Sequence, residues 1–424
     1  MDGISSRSTK KRKMDMISGR TTKKRKLDRI SALPDSVLRH ILSFLPTKTA
    51  VSTSFLSRRW RYLWQHLRDF DFDLDLEQNP EEYDEEEAFM FFAEFTSEVL
   101  ARRRNRDTRT FRLSCSYNTD EDSYYDRCLN DWMHSVIGPH LQHLHVYLYS
   151  DPIPDSTFSD PTPCYGLPTL RTLKVCIIGA LRIHKILSGS PVLEELNLSF
   201  IVTNVSPKII VPNSLKRLRI VTDCGRLPSF TPTRARQEVE IEIDTPALEY
   251  LSVSFCNNVR GFSVNNLHNV VDAFLNVTVL GYKRVDYLLR LLKALDRAKW
   301  LRLASSTMMI MLCAPIFEFP KFSRLLNLQL SIPCFNSSFM INLLYKCPVL
   351  KVFKIQNSHW KISTEPINYP SCWTTPTSVP NCLISHWKEI EFEAYEGSKD
   401  ELAFIAYVLK IGLVWETVTL HLDL

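Results

Sequence analysis

The chain contains little glycine: eleven residues in 424, of which no two lie within five positions of each other. Loops that cradle phosphate groups need closely spaced glycines, as in G-x-G-x-x-G or G-x-x-x-x-G-K. Neither pattern occurs, and the H-E-x-x-H and G-x-S-x-G patterns of metalloproteases and serine hydrolases are missing too. We therefore expect no catalytic residues, no cofactor and no enzymatic activity.

Cysteine pairs of the C-x-x-C type are also lacking, although the chain has eleven cysteines. An odd number of dispersed cysteines is typical of a reduced compartment, where the thiols act as small apolar side chains. We expect no disulfide framework and no structural zinc. Cys176, Cys256 and Cys313 are interpreted as filling the core rather than as nucleophiles.

No apolar segment is long enough to cross a bilayer. The longest apolar run, Met308 to Phe317, is far shorter than the roughly 18 residues that a spanning helix needs. The N-terminus is polar and basic, unlike a secretory signal. We expect an intracellular protein without a membrane partner.

The excess of positive charge is confined to the N-terminus. Residues 1–30 hold eleven Lys or Arg and three Asp, a net charge of +8, whereas the whole chain carries +5. A segment this polar cannot form a core, so residues 1–27 are predicted to be a disordered tail. Two K-K-R-K clusters favour a nuclear-import signal, with a solubilising tail or a weak nucleic-acid patch as alternatives. The clusters comprise Lys10, Lys11, Arg12 and Lys13, and Lys23, Lys24, Arg25 and Lys26.

A helical module is predicted directly after the tail. Val37, Leu38, Ile41, Leu42 and Leu45 recur at helical spacing and form one apolar stripe. Leu33-Pro34 opens this helix and Pro46 ends it. Trp60 and Trp64 lie one turn apart in a third helix. Three short helices cannot bury so much apolar surface alone, so the module needs a partner.

The order L-P-D-x-x-L-x-x-I-L-S-x-L-P, followed by L-S-R-R-W-x-x-L-W, resembles an F-box. The family docks on the Skp-type adaptor of cullin-based SCF ubiquitin ligases and presents target proteins. Phe55 departs from the pattern, where a smaller residue is expected, and an ordinary helical hairpin is the alternative interpretation. The resemblance implies that these residues bind the adaptor: Leu33, Pro34, Val37, Leu38, Ile41, Leu42, Leu45, Pro46, Trp60 and Trp64.

A pattern of apolar-x-x-apolar-x-apolar recurs through the rest of the chain. It is clearest from Leu170, Leu193, Leu215 and Leu248, at intervals typical of leucine-rich repeats. Each copy predicts a strand with its apolar residues in a solenoid core. Less regular copies begin at Leu141, Phe274, Ala298, Leu325, Leu350, Trp387 and Trp415. Two helical returns are predicted at 183–187 and 341–345.

Two further elements are predicted between the helical module and the repeats. Phe70 and Phe72 alternate with aspartates, which indicates a strand with one apolar and one acidic face. Phe89, Phe92 and Val99 follow a helical period that ends in a basic run.

Three histidines form the only tight cluster of candidate metal ligands. His140, His143 and His145 are close in sequence, and the last two share one strand face. We interpret them as solvated surface residues without metal, because no Cys or carboxylate completes a ligand set.

The C-terminal segment resembles an FBD, on Cys372-Trp373-Thr374-Thr375-Pro376, Val379-Pro380-Asn381-Cys382-Leu383, His386-Trp387-Lys388-Glu389-Ile390 and Tyr395-Glu396-Gly397. It occurs in plant proteins after an F-box and degenerate leucine-rich repeats. The fold expected is α/β: an all-α F-box (28–68), a repeat solenoid (69–365) and an FBD cap (366–424).

These resemblances imply a substrate-recognition subunit of an SCF-type ubiquitin ligase, whose solenoid binds an unknown target protein. Two alternatives stay open. One is a protein-binding scaffold outside a ligase, and the other is a nucleic-acid-associated protein led by the basic tail, which the near-neutral body disfavours.

Overall fold

The computed structural model describes residues 30, 32–74, 85–116, 123–149, 166–178, 183–201, 208–222, 239–255, 259–278, 285–313, 318–358, 373, 376–412 and 416–421. The two K-K-R-K clusters and Cys256 lie outside these ranges. The helices are α1 (Asp35–Leu42), α2 (Thr47–Ser52), α3 (Glu85–Arg102), α4 (Ser123–Val136), α5 (Ile183–Ser188), α6 (Val285–Ala294), α7 (Ser305–Cys313), α8 (Ser337–Tyr345), α9 (Asn381–Ser385) and α10 (Lys399–Ile411). The strands are β1 (Asp69–Asp73), β2 (Thr110–Ser116), β3 (His143–Tyr149), β4 (Thr172–Ile178), β5 (Glu195–Ile201), β6 (Lys208–Ile210), β7 (Arg217–Thr222), β8 (Val239–Asp244), β9 (Tyr250–Phe255), β10 (Val259–Asn265), β11 (Asp272–Val277), β12 (Trp300–Leu303), β13 (Asn327–Ile332), β14 (Val352–Asn357), β15 (Glu389–Glu393) and β16 (Thr417–Leu420).

The N-terminal module consists of α1, α2 and three short 3-10 turns. The continuous third helix that the tryptophan spacing predicts is replaced by two 3-10 turns, Trp60–Tyr62 and Trp64–His66. Both tryptophans still point inward, with exposures of 5% and 6%. Pro34 and Pro46 stand at the N-cap positions of α1 and α2, where a missing backbone N–H leaves no helical bond unmade.

A single sheet of thirteen parallel strands follows directly on this module. Its order is β1-β2-β3-β4-β5-β7-β9-β11-β12-β13-β14-β15-β16, so neighbouring repeats lie side by side. The central apolar residue of each repeat occupies one register row from Phe70 to Ile390, and each is at most 2% exposed. Stacking of similar strand units in this way is the arrangement of a leucine-rich-repeat solenoid. The α/β fold class predicted from the sequence is confirmed.

A tight turn introduces most strands. In Ser190-Pro191-Val192-Leu193 the backbone N–H of Leu193 donates to the carbonyl of Ser190, at 3.3 Å. The same bond joins the ends of the turns Thr245–Leu248, at 3.1 Å, and Cys347–Leu350, at 3.3 Å. Proline thus occupies the second turn position, which its fixed φ favours.

Helices and a small second sheet cover the apolar side of the large sheet. The predicted helical returns are present as α5 and α8. Strands β6, β8 and β10 form a three-stranded parallel sheet that adds Ile209, Ile241 and Ile243 to the same core. Within the described ranges, no helix has both the length and the apolar content needed to cross a membrane.

The register corrects one repeat and adds two. The copy predicted at Phe274 is wrong: Leu251 pairs with Ala273, so that repeat begins at Val270 and Phe274 faces away from the core. Two further copies were not predicted from the sequence, because aromatic residues or threonine replace leucine in the repeat pattern. They begin at Leu67 and Thr108, whose strands bury Phe70 and Phe111.

The expectation about free cysteines also needs correction. Cys313 is exposed and Cys176 only half-buried, so neither fills the core. Among the cysteines that the structure describes, the fully buried thiols are instead Cys115, Cys347 and Cys382. Burial away from water raises the pKa of Cys115 to about 12, which makes this thiol inert as a nucleophile.

Candidate functional site

The predicted apolar stripe of α1 is divided between the interior and the surface. Leu38 and Leu42 are fully buried inside the chain, whereas Val37 and Ile41 are each 40% exposed. This division follows from the helical period, because residues three and four positions apart share a face. Of the remaining predicted contact residues, Pro34 and Pro46 are exposed, Leu33 and Leu45 are half-buried, and Trp60 and Trp64 are buried.

The same module exposes further apolar residues that sequence reasoning did not single out. Phe44 is 74% exposed and Leu56 is 67% exposed. Phe55, which the sequence marked only as a departure from a motif, is 92% exposed. Large apolar side chains this accessible are uncommon on monomers, and their grouping within one small module marks an interaction surface.

An ion pair fixes the shape of this module. The Arg59 guanidinium donates from Nε and from Nη2 to Oδ1 of Asp35, at 2.8 and 2.6 Å. Its Nη2 also donates to the carbonyl oxygen of Leu33, at 2.5 Å. The start of α1 is therefore tied to the chain just before Trp60.

The module is joined rigidly to the large sheet. The backbone N–H of Asp71 in β1 donates to Oγ1 of Thr47, the first residue of α2, at 2.7 Å. The backbone N–H of Arg104 donates to the carbonyl of Gln65 at 2.8 Å. Phe70 and Phe72 continue the buried core from the module into the sheet. Whatever binds the module is therefore held in a fixed direction relative to the solenoid.

Comparison with known families gives one matching domain near each end of the chain. A model of the F-box domain matches residues 30–72, and a model of the FBD matches residues 375–420. The chain carries an F-box domain and an FBD domain. The predicted resemblance to F-box proteins that combine leucine-rich repeats with an FBD is confirmed.

The chain is similar to several proteins from Arabidopsis thaliana, two of which align with it along most of their length. The chain is 27% identical to an FBD-associated F-box protein, over 93% of this chain and 92% of the relative. It is 26% identical to an F-box/FBD/LRR-repeat protein, over 92% and 91% of the two chains. An F-box/LRR-repeat protein is 34% identical over 53% of this chain and 45% of its own length.

The FBD continues the solenoid, since it supplies the last two strands of the large sheet. Trp387 is 1% exposed and packs edge-on against Phe353 of the preceding strand, with ring centroids 5.7 Å apart. Glu401 is 1% exposed and accepts hydrogen bonds from the Ser398 backbone and from Nδ2 of Asn357, both at 2.8 Å. These contacts fix α10 against β14.

The side of the large sheet opposite the core, called here the outer face, is the second candidate surface. The residue between the two core positions of each strand points to this side, and these residues form the outer row. It includes Lys174, Asn197 and Arg219, the positions that the sequence suggested for target binding.

His145 belongs to the outer row but is not solvated as predicted. It is 7% exposed, and its Nδ1 accepts a hydrogen bond from Nε of Arg112 at 3.0 Å. Burial, followed by the neighbouring charges of Arg112 and Lys174, lowers the pKa of His145 to about 4. The imidazole is therefore neutral at pH 7. The described residues hold no group of three or more His, Cys, Asp or Glu side chains that could bind a metal ion.

Proposed function

We propose that the chain is the substrate-recognition subunit of an SCF-type ubiquitin ligase, in which the F-box docks on a Skp-type adaptor and the solenoid holds a target protein. The supporting observation is the concentration of exposed apolar side chains on the F-box. In the described part of the chain, seven of nineteen exposed large hydrophobic residues lie between Ile30 and Tyr62. A free module of this size would be poorly soluble, and an adaptor groove would cover the surface.

The contribution of the chain to ubiquitin transfer is positional. F-box proteins with leucine-rich repeats are typically adaptors rather than enzymes. Tethering raises the effective concentration of the target near the charged ubiquitin-conjugating enzyme. Hydrogen bonds to the F-box from β1 and from Arg104, just after α3, fix the solenoid relative to the F-box. A target bound to the solenoid is therefore held in a fixed position relative to the adaptor. The cullin and its other subunits are proposed to join only through the adaptor.

The exposed and buried halves of the α1 stripe have different roles in this proposal. Val37, Ile41, Pro34 and Pro46 are accessible and form the direct contact. Leu38 and Leu42 shape the helix from within, as Trp60 and Trp64 do for the 3-10 turns. Leu33 and Leu45 lie at the border between the two sets.

The test is co-purification of the intact chain with a Skp-type adaptor, compared with an Ile41→Asp variant. Val192→Asp is the matched control, since Val192 on the solenoid is 41% exposed and Ile41 is 40% exposed. We expect adaptor binding by the intact chain and by Val192→Asp, and loss of binding by Ile41→Asp. No binding by any of the three would reject the ligase assignment in favour of a scaffold outside a ligase.

We also propose that the two K-K-R-K clusters direct part of the protein to the nucleus, with the remainder in the cytoplasm. The support is their sequence pattern and the sharp separation of the +8 tail from the near-neutral body. A fluorescent fusion in which Lys10, Lys11, Lys23 and Lys24 are changed to Ala should lose nuclear signal. Unchanged nuclear signal would leave the tail with a solubilising role. Nucleic-acid binding by the tail would instead show as salt-sensitive binding to DNA that disappears with residues 1–30.

A further inference from the structure

Positive charge is concentrated in the middle of the outer row. From β2 to β14 the row contains five cations, Arg112, Lys174, Arg219, Arg302 and Lys354, and no carboxylate. Acidic residues enter the row only at Asp71 in β1 and Glu391 in β15. The outer row is therefore basic in its centre and acidic at both ends.

Most of these cations are already matched by a neighbouring carboxylate. Lys174 pairs with Glu195 at 3.0 Å, and Arg302 pairs with Asp272 at 3.0 Å. Lys354 pairs with Glu391, and Arg112 approaches Asp71 at 3.4 Å. A cation that is paired with a carboxylate in this way exerts little net attraction on an anionic ligand.

Strand β7, at the middle of the sheet, differs because both of its outward arginines lack such a partner. Arg217 and Arg219 are exposed, and neither forms an ion pair with any described carboxylate. Arg217 instead lies over the ring of Tyr250, with its guanidinium carbon 4.4 Å from the ring centroid. This stacking holds one guanidinium in place and leaves its N–H groups available to an acceptor.

Aromatic side chains continue the surface from β7 towards β12. In register, Arg217 is followed by Tyr250, Asp272 and Trp300 on the next three strands. The Trp300 side chain is 50% exposed on this face. Phe274 lies beside it and contacts the Arg302 guanidinium, at 5.8 Å from the ring centroid. Arg, Tyr and Trp are the residues that most often dominate the energy of protein interfaces.

We propose that the outer face between β7 and β12 binds an extended acidic segment of the target protein, with carboxylates on Arg217 and Arg219 and an apolar side chain on Trp300. This inference rests on the proposed role as a substrate receptor and specifies the class of target. Strands lie about 4.8 Å apart, so three steps separate the arginines from Trp300 by about 14 Å, or roughly four residues of extended peptide.

The spacing of charges favours carboxylates over a single phosphate or a nucleic acid. Arg217 and Arg219 are two residues apart along the same strand, a distance of about 7 Å, which suits two separate carboxylates. The outer-row cations Arg112, Lys174, Arg302 and Lys354 on other strands are already paired with carboxylates, so a long polyanion would gain little attraction from them. The acidic segment is therefore short and central.

The experiment measures fluorescence anisotropy of labelled twelve-residue peptides with the full-length chain, in complex with the adaptor where one co-purifies. The probe carries four glutamates and, four residues further on, a leucine; a glutamine version, a phosphoserine version and a single-stranded DNA oligonucleotide are compared. Arg219→Glu is the test variant. Arg297→Glu is its matched control, because Arg297 is an exposed arginine in the turn after α6. Trp300→Ala tests the apolar contact.

We expect the glutamate peptide to bind more tightly than the glutamine and phosphoserine peptides and DNA, with affinity falling as salt rises. Arg219→Glu should weaken it about tenfold or more, as charge reversal at an interface does, and Arg297→Glu should not. Equal binding of the glutamate and glutamine peptides, or an unchanged Arg219→Glu variant, would overturn the proposal. Preference for the phosphoserine peptide or for DNA would overturn it as well.

The adaptor assay on the same samples separates this inference from the proposed function. Adaptor binding without preference for the acidic peptide overturns only the assignment of the target class. Peptide binding without adaptor binding would contradict the ligase role while leaving the acidic-segment site intact.

Discussion

Arg59 and Asp35, twenty-four residues apart in sequence, join two separate segments of the F-box through an ion pair. Two nitrogens of the guanidinium donate to one carboxylate oxygen, and Nη2 also donates to the Leu33 carbonyl. The pair therefore links the L-P-D start of α1 to the S-R-R-W segment. Both motifs by which the F-box resembles its family are joined by this contact, which gives their co-occurrence a physical reason.

Removal of the Arg59–Asp35 ion pair should destabilise α1 locally without unfolding the chain. The side chains of Arg59 and Asp35 are 38% and 54% exposed, so Arg59→Ala should destabilise the F-box by about 1 kcal/mol or less, as exposed ion pairs do. Hydrogen exchange of the α1 amides should accelerate accordingly. Arg58→Ala is the control, because Arg58 is exposed beside it. Equal exchange rates in the two variants would show that the Arg59–Asp35 ion pair does not stabilise α1.

Charge substitutions on the two sides of α1 should have different outcomes. Leu38 is fully buried and Ile41 is 40% exposed. Leu38→Ala should cost about 2–5 kcal/mol because it leaves a cavity, and Leu38→Asp should cost more because it buries a charge. Ile41→Asp should leave the thermal midpoint almost unchanged.

Thermal denaturation followed by circular dichroism measures this difference. Only Ile41→Asp reports on the adaptor surface, because loss of binding in Leu38→Asp would follow from misfolding. A large drop in stability for Ile41→Asp would contradict the assignment of Ile41 to the surface.

The repeat architecture was predictable from the sequence because each repeat places an apolar residue at the same position of one buried row. Leu173, Leu196 and Leu218 fill equivalent positions, and any change there would open a cavity between repeats. Prediction failed where the core accepts other side chains. Ala273 takes a leucine position in β11, so the pattern shifted to Phe274, and Phe70 and Phe111 concealed the first two repeats.

The candidate sites were less predictable because they depend on contacts between distant segments. Helical spacing gives one stripe on α1, but only the tertiary fold decides that Leu38 joins the core that also holds Trp60 and Trp64, while Ile41 faces outward. His145 was expected in solvent from its strand position. Arg112 and Lys174 on the adjacent strands cover it, and neither is near it in sequence.

The FBD should depend on a buried carboxylate for its attachment. Glu401 completes a capping box with Ser398 at the start of α10 and accepts a hydrogen bond from Asn357 on β14. Glu401→Ala removes both interactions, so Asn357 Nδ2 keeps only its hydrogen bond to the Ala394 carbonyl, and the loss should cost about 2 kcal/mol. The urea midpoint of the full chain measures this cost. Lys399→Ala on the same helix turn, an exposed position, is the control and should leave the midpoint in place.

His145 should make the stability of the chain depend on pH. Its pKa lies at about 4 in the folded protein, against 6.5 for a free imidazole. Between these values the unfolded chain binds a proton that the folded chain excludes, so the stabilisation is fully present above pH 6.5 and is lost as the pH falls towards 4.

Urea midpoints at pH 7 and pH 5 test this linkage. His145→Gln keeps an acceptor for Arg112 but cannot titrate, so its midpoint should fall less between the two pH values than that of the unmodified chain. His268→Gln provides the matched control, since His268 is exposed, and should follow the unmodified chain. An identical fall in all three proteins would mean that carboxylates, rather than the outer-row histidine, set the acid sensitivity of the solenoid. A smaller fall in His145→Gln alone would locate a measurable part of it beneath Arg112 and Lys174.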